Sequence, residues 1–160
     1  MACPLCSIDP TAHSFEYLGG QGSVKIYYTN PAKATSTEPV QEKLINIQHH
    51  LRAIGGAPWI WVFDFADATM KDYMGLDFSR MVIDVLDKEH GQSLQKIILV
   101  NAGSIVMGLL KVALATLKGR TIQKAMVLDG SKLEIVRKLE TAGLCMETKL
   151  RVLKKCKIVG

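Results

Sequence analysis

At 160 residues the chain is long enough to bury a substantial core, and one domain is expected. Its 48% hydrophobic and 22% charged residues are ordinary for a globular protein, and its net charge of +5 suits an anionic membrane surface or nucleic acid without choosing between them. No run reaches the roughly 18–20 uncharged apolar residues of a membrane span, and the opening MACPLCSIDP has no basic region followed by an apolar run, so no signal peptide is expected. Four cysteines at irregular spacing, without a secretion signal, point to a reduced, intracellular protein.

In chain order, residues 1–23 hold Cys3-Pro4-Leu5-Cys6, His13 and the run Gly19-Gly20-Gln21-Gly22-Ser23. Cys3, Cys6 and His13 make three ligands of a tetrahedral zinc site, but no second CxxC or HxxxH pair completes it, and Cys145 and Cys156 are remote. No metal or cofactor is therefore expected. The segment reads as an exposed arm, and the glycines as a flexible turn before a strand. Val24–Thr29 is a short strand stopped by Asn30-Pro31. After a polar linker, Thr37 or Glu38 and Pro39 open a helix whose apolar stripe is Val40, Leu44, Ile47, Leu51 and Ile54, ended by Gly55-Gly56. His49 and His50 lie beside that stripe, pointing about 100° apart, and are expected at the surface or its edge.

The segment from Pro58 to Ala102 reads as strand, crossover helix, strand. Trp59 to Phe65 is apolar apart from Asp64, as a strand buried on both faces should be. The two-residue period puts Trp59, Trp61, Phe63 and Phe65 on one face and Ile60, Val62 and Asp64 on the other. Asp64 and Asp67 are spaced Asp-x-x-Asp, which does not fit an aspartyl phosphotransfer pair, and Asp67 reads as a loop or capping residue. Met74, Phe78, Met81, Val82 and Val85 fall at helical spacing before the second strand, Lys96–Val100. Ligands of open sheets sit beyond the carboxyl ends of the strands, here near Phe65-Ala66-Asp67 and Asn101-Ala102-Gly103.

Next comes SIVMGLLKVALATLKGR, a helix with one narrow polar or small face, Ser104, Gly108, Lys111, Ala115 and Lys118. Apolar residues cover the rest of its girth, as on a helix sandwiched in a core or facing a lipid-like ligand or membrane. Ala125–Leu128 is a last short strand, and Ser131 to Glu134 a capping box opening a final helix that stops at Gly143. The ending KLRVLKKCKIVG is read as a basic, solvated tail able to approach anionic lipid. No nucleophile, base and orienter come together, so no catalytic residues are named and an enzyme is not expected.

The stretches WIWVFDFADAT, KIILVNAGSIVMGLLKVALATL and TIQKAMVLDG, in that order, resemble the CRAL-TRIO family of lipid-binding and lipid-transfer domains over about residues 24–143. The resemblance implies an α/β fold: a mainly parallel sheet with flanking helices and a hydrophobic pocket. Residues 1–23 would then be an N-terminal arm, 24–143 the lipid-binding domain and 144–160 the basic tail. In this likeness Phe63, Phe65, Met81 and Val85 would floor the pocket, and Met107, Leu110 and Leu114 would gate it. Thr121 and Lys124 match positions that hold the phosphate headgroup in phosphatidylinositol-binding members. The acidic partner of that lysine falls here at Gln92, and the family's helical N-terminal subdomain is absent.

Two functions follow as expectations. The first is non-enzymatic binding, with transfer or sensing, of a lipid or other hydrophobic ligand, a phosphoinositide among them. Such a protein would be cytoplasmic and peripheral to an anionic membrane through its basic tail, with no nucleic acid partner. The alternative is a protein-interaction module on the same or a STAS-like fold, its pocket filled and its partner another protein.

Overall fold

The apolar, β-branched and aromatic runs of the sequence become the strands of one sheet. In the computed structural model, which describes residues 3–35, 37–69 and 75–158, β1 (Glu16–Gln21), β2 (Val24–Thr29), β3 (Trp59–Asp64), β4 (Leu94–Val100) and β5 (Ala125–Leu128) lie side by side in chain order. β1 is antiparallel to β2, and β2 to β5 are parallel. This is the expected α/β fold, a mainly parallel sheet with flanking helices.

Parallel neighbours need crossovers, and α2 (Val40–Ala53), α3 (Leu76–His90) and α4 (Ser104–Thr116) supply them. Each steps to the next strand in the same direction, so crossovers of one hand all lie over the same face. The packing agrees: Leu51 of α2, Leu86 of α3 and Leu110 of α4 join Trp59, Trp61, Ile97 and Leu99 in one cluster. The opposite face presents Ile60, Val62, Ile98 and Val100. It is covered by α5 (Lys132–Thr141) and α6 (Met146–Lys155) through Ile135, Leu139, Val152 and Leu153. Capping follows the sequence at α5, where the Ser131 hydroxyl accepts the Glu134 N–H at 3.2 Å.

Three expectations are corrected. Of the expected solvated tail, 144–160, the described residues 144–158 are packed: α6 buries Thr148, Lys149, Val152 and Leu153, a stripe with a four-residue step. The basic residues mislead because several are paired: Lys149 Nζ bonds Glu140 at 2.5 Å, Arg151 bonds Glu147 at 3.0 Å, and Lys155 bonds Glu16 at 2.7 Å. α6 also approaches β1 closely. Gly19 sits there at φ +103, and a Cβ would stand 2.5 Å from an Arg151 guanidinium nitrogen.

Nor are residues 3–23, the described part of the expected arm 1–23, an exposed arm. α1 (Pro4–Ile8) and β1 are ordered elements, with Cys3 and His13 buried, and the Gly19-Gly20 pair lies within β1 rather than in a loose turn. The inward stripe of α3 differs too. Val82, Ile83, Val85, Leu86 and His90 face the sheet, whereas Met81 is 42% exposed. Leu86 and His90 continue a four-residue step from Val82, and Met81 stands about 100° from it. Met74 lies outside the described residues.

Candidate ligand site beneath the third crossover helix

The two-residue period of β3 lines up Trp59, Trp61, Phe63 and Phe65, with successive ring centroids 5.5, 4.4 and 6.2 Å apart. Burial falls along this row. Trp59 and Trp61 are 0% and 4% exposed, while Phe63 and Phe65 are half-buried. The aromatic wall therefore loosens toward the carboxyl end of the strand. There Phe65 meets Pro31, Ala68 and Thr69, and α4 contributes Val106, Leu109 and Leu110, around an apolar cleft of about 50 Å³.

α4 covers this cleft while burying little of itself. Of its thirteen residues only Ala113 is buried; Val106, Met107, Leu109, Leu110 and Leu114 are half-buried, and Ile105 and Val112 are 64% and 58% exposed. Its N-cap residue, Gly103, has no side chain with which to cap the amino end. The expected polar face, Ser104, Gly108, Lys111, Ala115 and Lys118, is exposed throughout.

Of the residues expected to line a pocket, Phe63, Phe65, Val85 and Leu110 join the same apolar cluster. Met107 and Leu114 are half-buried on α4, and the exposed Met81 is not among the packed residues of that cluster. Nothing in the sequence sets Val106 and Leu109 apart from the other apolar residues of α4, although with Leu110 they make an i, i+3, i+4 set facing Phe65.

The strand ends beside this cleft are held by a buried polar network. Asp64, 3% exposed, accepts from the Tyr28 hydroxyl at 2.6 Å, from Asn101 Nδ2 at 2.9 Å and from the Ala66 N–H at 3.0 Å. Asn101 also donates to the Cys156 carbonyl at 2.8 Å, tying β4 to the end of α6. Burial, then the bond to Asp64, pushes the Tyr28 hydroxyl well above its ordinary range. Burial, then the Asp64 charge, pushes the Cys156 thiol up to about 12. With every partner occupied in fastening strands, Asp64 is a structural carboxylate, and Asp67 is an exposed loop residue at φ 64.

Thr121 and Lys124 lie at the other end of the sheet, before β5. Lys124 Nζ donates to the Gly91 and Leu94 carbonyls at 2.7 and 2.6 Å, leaving one ammonium proton over. Burial, then the nearby Arg120, lowers its pKa. Thr121 is fully buried. Its N–H donates to Asp87 at 2.8 Å, and its Oγ1 finds no hydrogen-bond partner among the described residues. Gln92 and Arg120 line an open polar hollow of about 590 Å³ beside them. The seven residues of β4 put about 20 Å between this end and the apolar cleft.

A further group of potential metal ligands appears where the sequence showed an incomplete one. Cys3, Cys6, His13 and His50 bring their ligand atoms within 4.8 Å of one another. His50, expected at the surface or its edge, faces this cluster, while its neighbour His49 does not join it. Burial, then Cys3, pushes the Cys6 thiol up to about 11, and burial, then His13, takes His50 down to about 4.

A family model described as CRAL/TRIO domain matches residues 27–142. The chain belongs to the CRAL/TRIO family. The match runs from within β2 to just past α5, so it takes in the parallel strands and all three crossovers; α1, β1 and α6 lie outside it. No curated protein matches the chain. Membership implies binding of a lipid or other hydrophobic ligand in general, and CRAL/TRIO domains are typically non-catalytic. Among the described residues no helix is long and apolar enough to cross a membrane.

Proposed function

We propose that this CRAL/TRIO protein reversibly binds a lipid or similarly long apolar molecule along the sheet face covered by α4, with α4 as the gate. The observation that carries this is the mismatch between composition and burial in α4, an apolar helix with a single buried residue. A helix serving only as core would bury most of its apolar girth. Drug-sized ligands fill pockets of about 300–1,000 Å³, so the cleft of about 50 Å³ holds a lipid only after α4 moves outward. Its uncapped start and exposed Ile105 and Val112 leave it few contacts to break.

A ligand running under α4 for about 20 Å would have its apolar end against Phe63, Phe65 and Leu110. Its polar end would lie near Thr121 and Lys124, where a hydroxyl without a partner and one remaining ammonium proton suit a phosphate, such as that of a phosphoinositide. The protein would act in the cytoplasm and visit an anionic membrane, sensing or transferring its ligand. Its net charge of +5 would assist this, though Lys149 is buried in α6 and unavailable to lipid.

Native mass spectrometry with solvent extraction and lipidomics tests this directly. The wild type should carry a defined hydrophobic molecule, and Leu110→Asp should lose most of it. Lys124→Ala should reduce retention of phospholipid but not of fatty acid; unchanged phospholipid binding removes the headgroup assignment. Empty, folded protein under conditions that retain weak ligands would overturn the lipid reading. It would favour the rival suggested by the narrow cleft, a STAS-like module with a filled pocket that works through a protein partner.

A further inference from the structure

We propose that Cys3, Cys6, His13 and His50 form a tetrahedral structural zinc site that fastens the amino-terminal segment to α2. All four ligand atoms lie within 4.8 Å of one another, and four of their six spacings are close to those of a coordination shell. Zn–S bonds of about 2.3 Å and Zn–N bonds of about 2.0–2.1 Å give tetrahedral edges of about 3.3–3.8 Å. The observed edges are 3.6 Å from Cys3 Sγ to His13 Nδ1 and 3.3 Å from Cys6 Sγ to the same nitrogen. From Cys6 Sγ to His50 Nε2 the edge is 3.2 Å, and between the two ring nitrogens it is 3.1 Å. Two thiolates and two imidazoles in this arrangement are the donor set of zinc rather than of a hard cation.

A second observation orients the site. His13 Nε2 stands 2.6 Å from Glu38 Oε1, and the two side chains are 5% and 6% exposed. Ligation through Nδ1 leaves the ring proton on Nε2, where Glu38 is placed to accept it. That carboxylate–histidine arrangement is how proteins fix a ligating ring. The site is closed, with four protein ligands and Cys3 only 3% exposed, as expected of a structural role. Binding would release the two thiol protons to solvent, and no oxidation change is involved.

The consequence is mechanical. Cys3, Cys6 and His13 come from the segment around α1, and His50 from α2. Phe15 lies two residues past His13 and packs against Tyr27, His50 and Trp61 at centroid distances of 5.0, 5.1 and 5.6 Å. The metal thus holds Phe15 against the aromatic wall at Trp61, while the end of the wall beneath α4 stays loose.

The test uses full-length protein purified without a polyhistidine tag or metal affinity column. Elemental analysis should find about one zinc per chain. Cobalt added to chelator-stripped protein should produce tetrahedral ligand-field bands with a thiolate charge-transfer band. Cys6→Ser and His50→Gln should lower zinc content at least about tenfold, while His49→Gln and Cys145→Ser should leave it unchanged. Glu38→Gln should weaken metal affinity about 10–100-fold with the cobalt bands retained. Should Cys6→Ser fail to fold, the wild-type cobalt spectrum still decides. Reduced thiols with negligible zinc and no cobalt spectrum would overturn the site, as would a Cys3–Cys6 disulfide in protein kept from oxidants.

Discussion

Replacing Asp64 with Ala tests whether the strand-end carboxylate is structural. The substitution removes the acceptor for three donors, Tyr28 Oη, Asn101 Nδ2 and the Ala66 N–H, at a position 3% exposed. Asn101 keeps its bond to the Cys156 carbonyl, and the Ala66 N–H is near enough to solvent to recruit water, so the Tyr28 hydroxyl bears most of the penalty. Hydrogen bonds to charged groups contribute about 1.5–3 kcal/mol each, and a buried donor left alone costs about 1–3 kcal/mol, giving a net loss of about 3–5 kcal/mol. At about 2–4 °C per kcal/mol for a chain of this size, Tm should fall by roughly 6–20 °C. Thermal and urea unfolding followed by circular dichroism would measure this, with the m-value unchanged. Tyr28→Phe gives an internal check: once Asp64 is gone, removing the hydroxyl should cost less than it does in the wild type, with a coupling of about 1–3 kcal/mol. A Tm shift below about 2 °C, or costs that simply add, would refute the structural role. An unchanged Tm with lost ligand would instead make Asp64 a functional residue.

Two further tests concern the ends and the flank of the fold. Leu153→Ala should destabilise by about 2–4 kcal/mol, measured by urea unfolding, because α6 is part of the core; a solvated tail would show no change. His90 is buried against Trp59, ring centroids 6.0 Å apart, and burial lowers its pKa, the opposing pull of Glu89 being smaller. A depressed folded-state pKa gives stability that is present above the unfolded value of about 6.5 and lost as pH falls through the lower folded value. His90→Phe should therefore flatten the decline in stability below about pH 6.5, and an unaltered slope would assign that decline to other groups.

The sheet and its crossovers are legible because strands buried on both faces write continuous apolar runs, and KIILV and WIWVF have few other uses. The aromatic row of β3 follows from the two-residue period alone. What is not legible depends on where neutralising partners come from. Lys149 looks solvated until Glu140 of α5 is placed against it, and such charges give the whole of α6 the look of a tail. The half-exposed α4 is legible in kind, since it is apolar around most of its girth. It is less so in detail, because Val106 and Leu109 face Phe65 only once the helix is rotated onto the sheet.

The fourth ligand of the cysteine–histidine cluster shows the same limit most clearly. Local spacing reveals Cys3, Cys6 and His13, and nothing near them completes the set. His50 is brought there by its neighbour: Leu51 is fully buried between α2 and the sheet. One residue earlier, about 100° round the helix, the imidazole is turned to the edge where α1 lies. The apolar stripe of α2 that the sequence displays thus fixes the direction of the polar residue beside it. Leu51→Ala, by loosening that rotation, should lower zinc content even though Leu51 carries no donor atom. Retention of full zinc in a Leu51→Ala protein destabilised by the about 2–5 kcal/mol expected for such a cavity would show that α1, not the packing of α2, sets the position of His50.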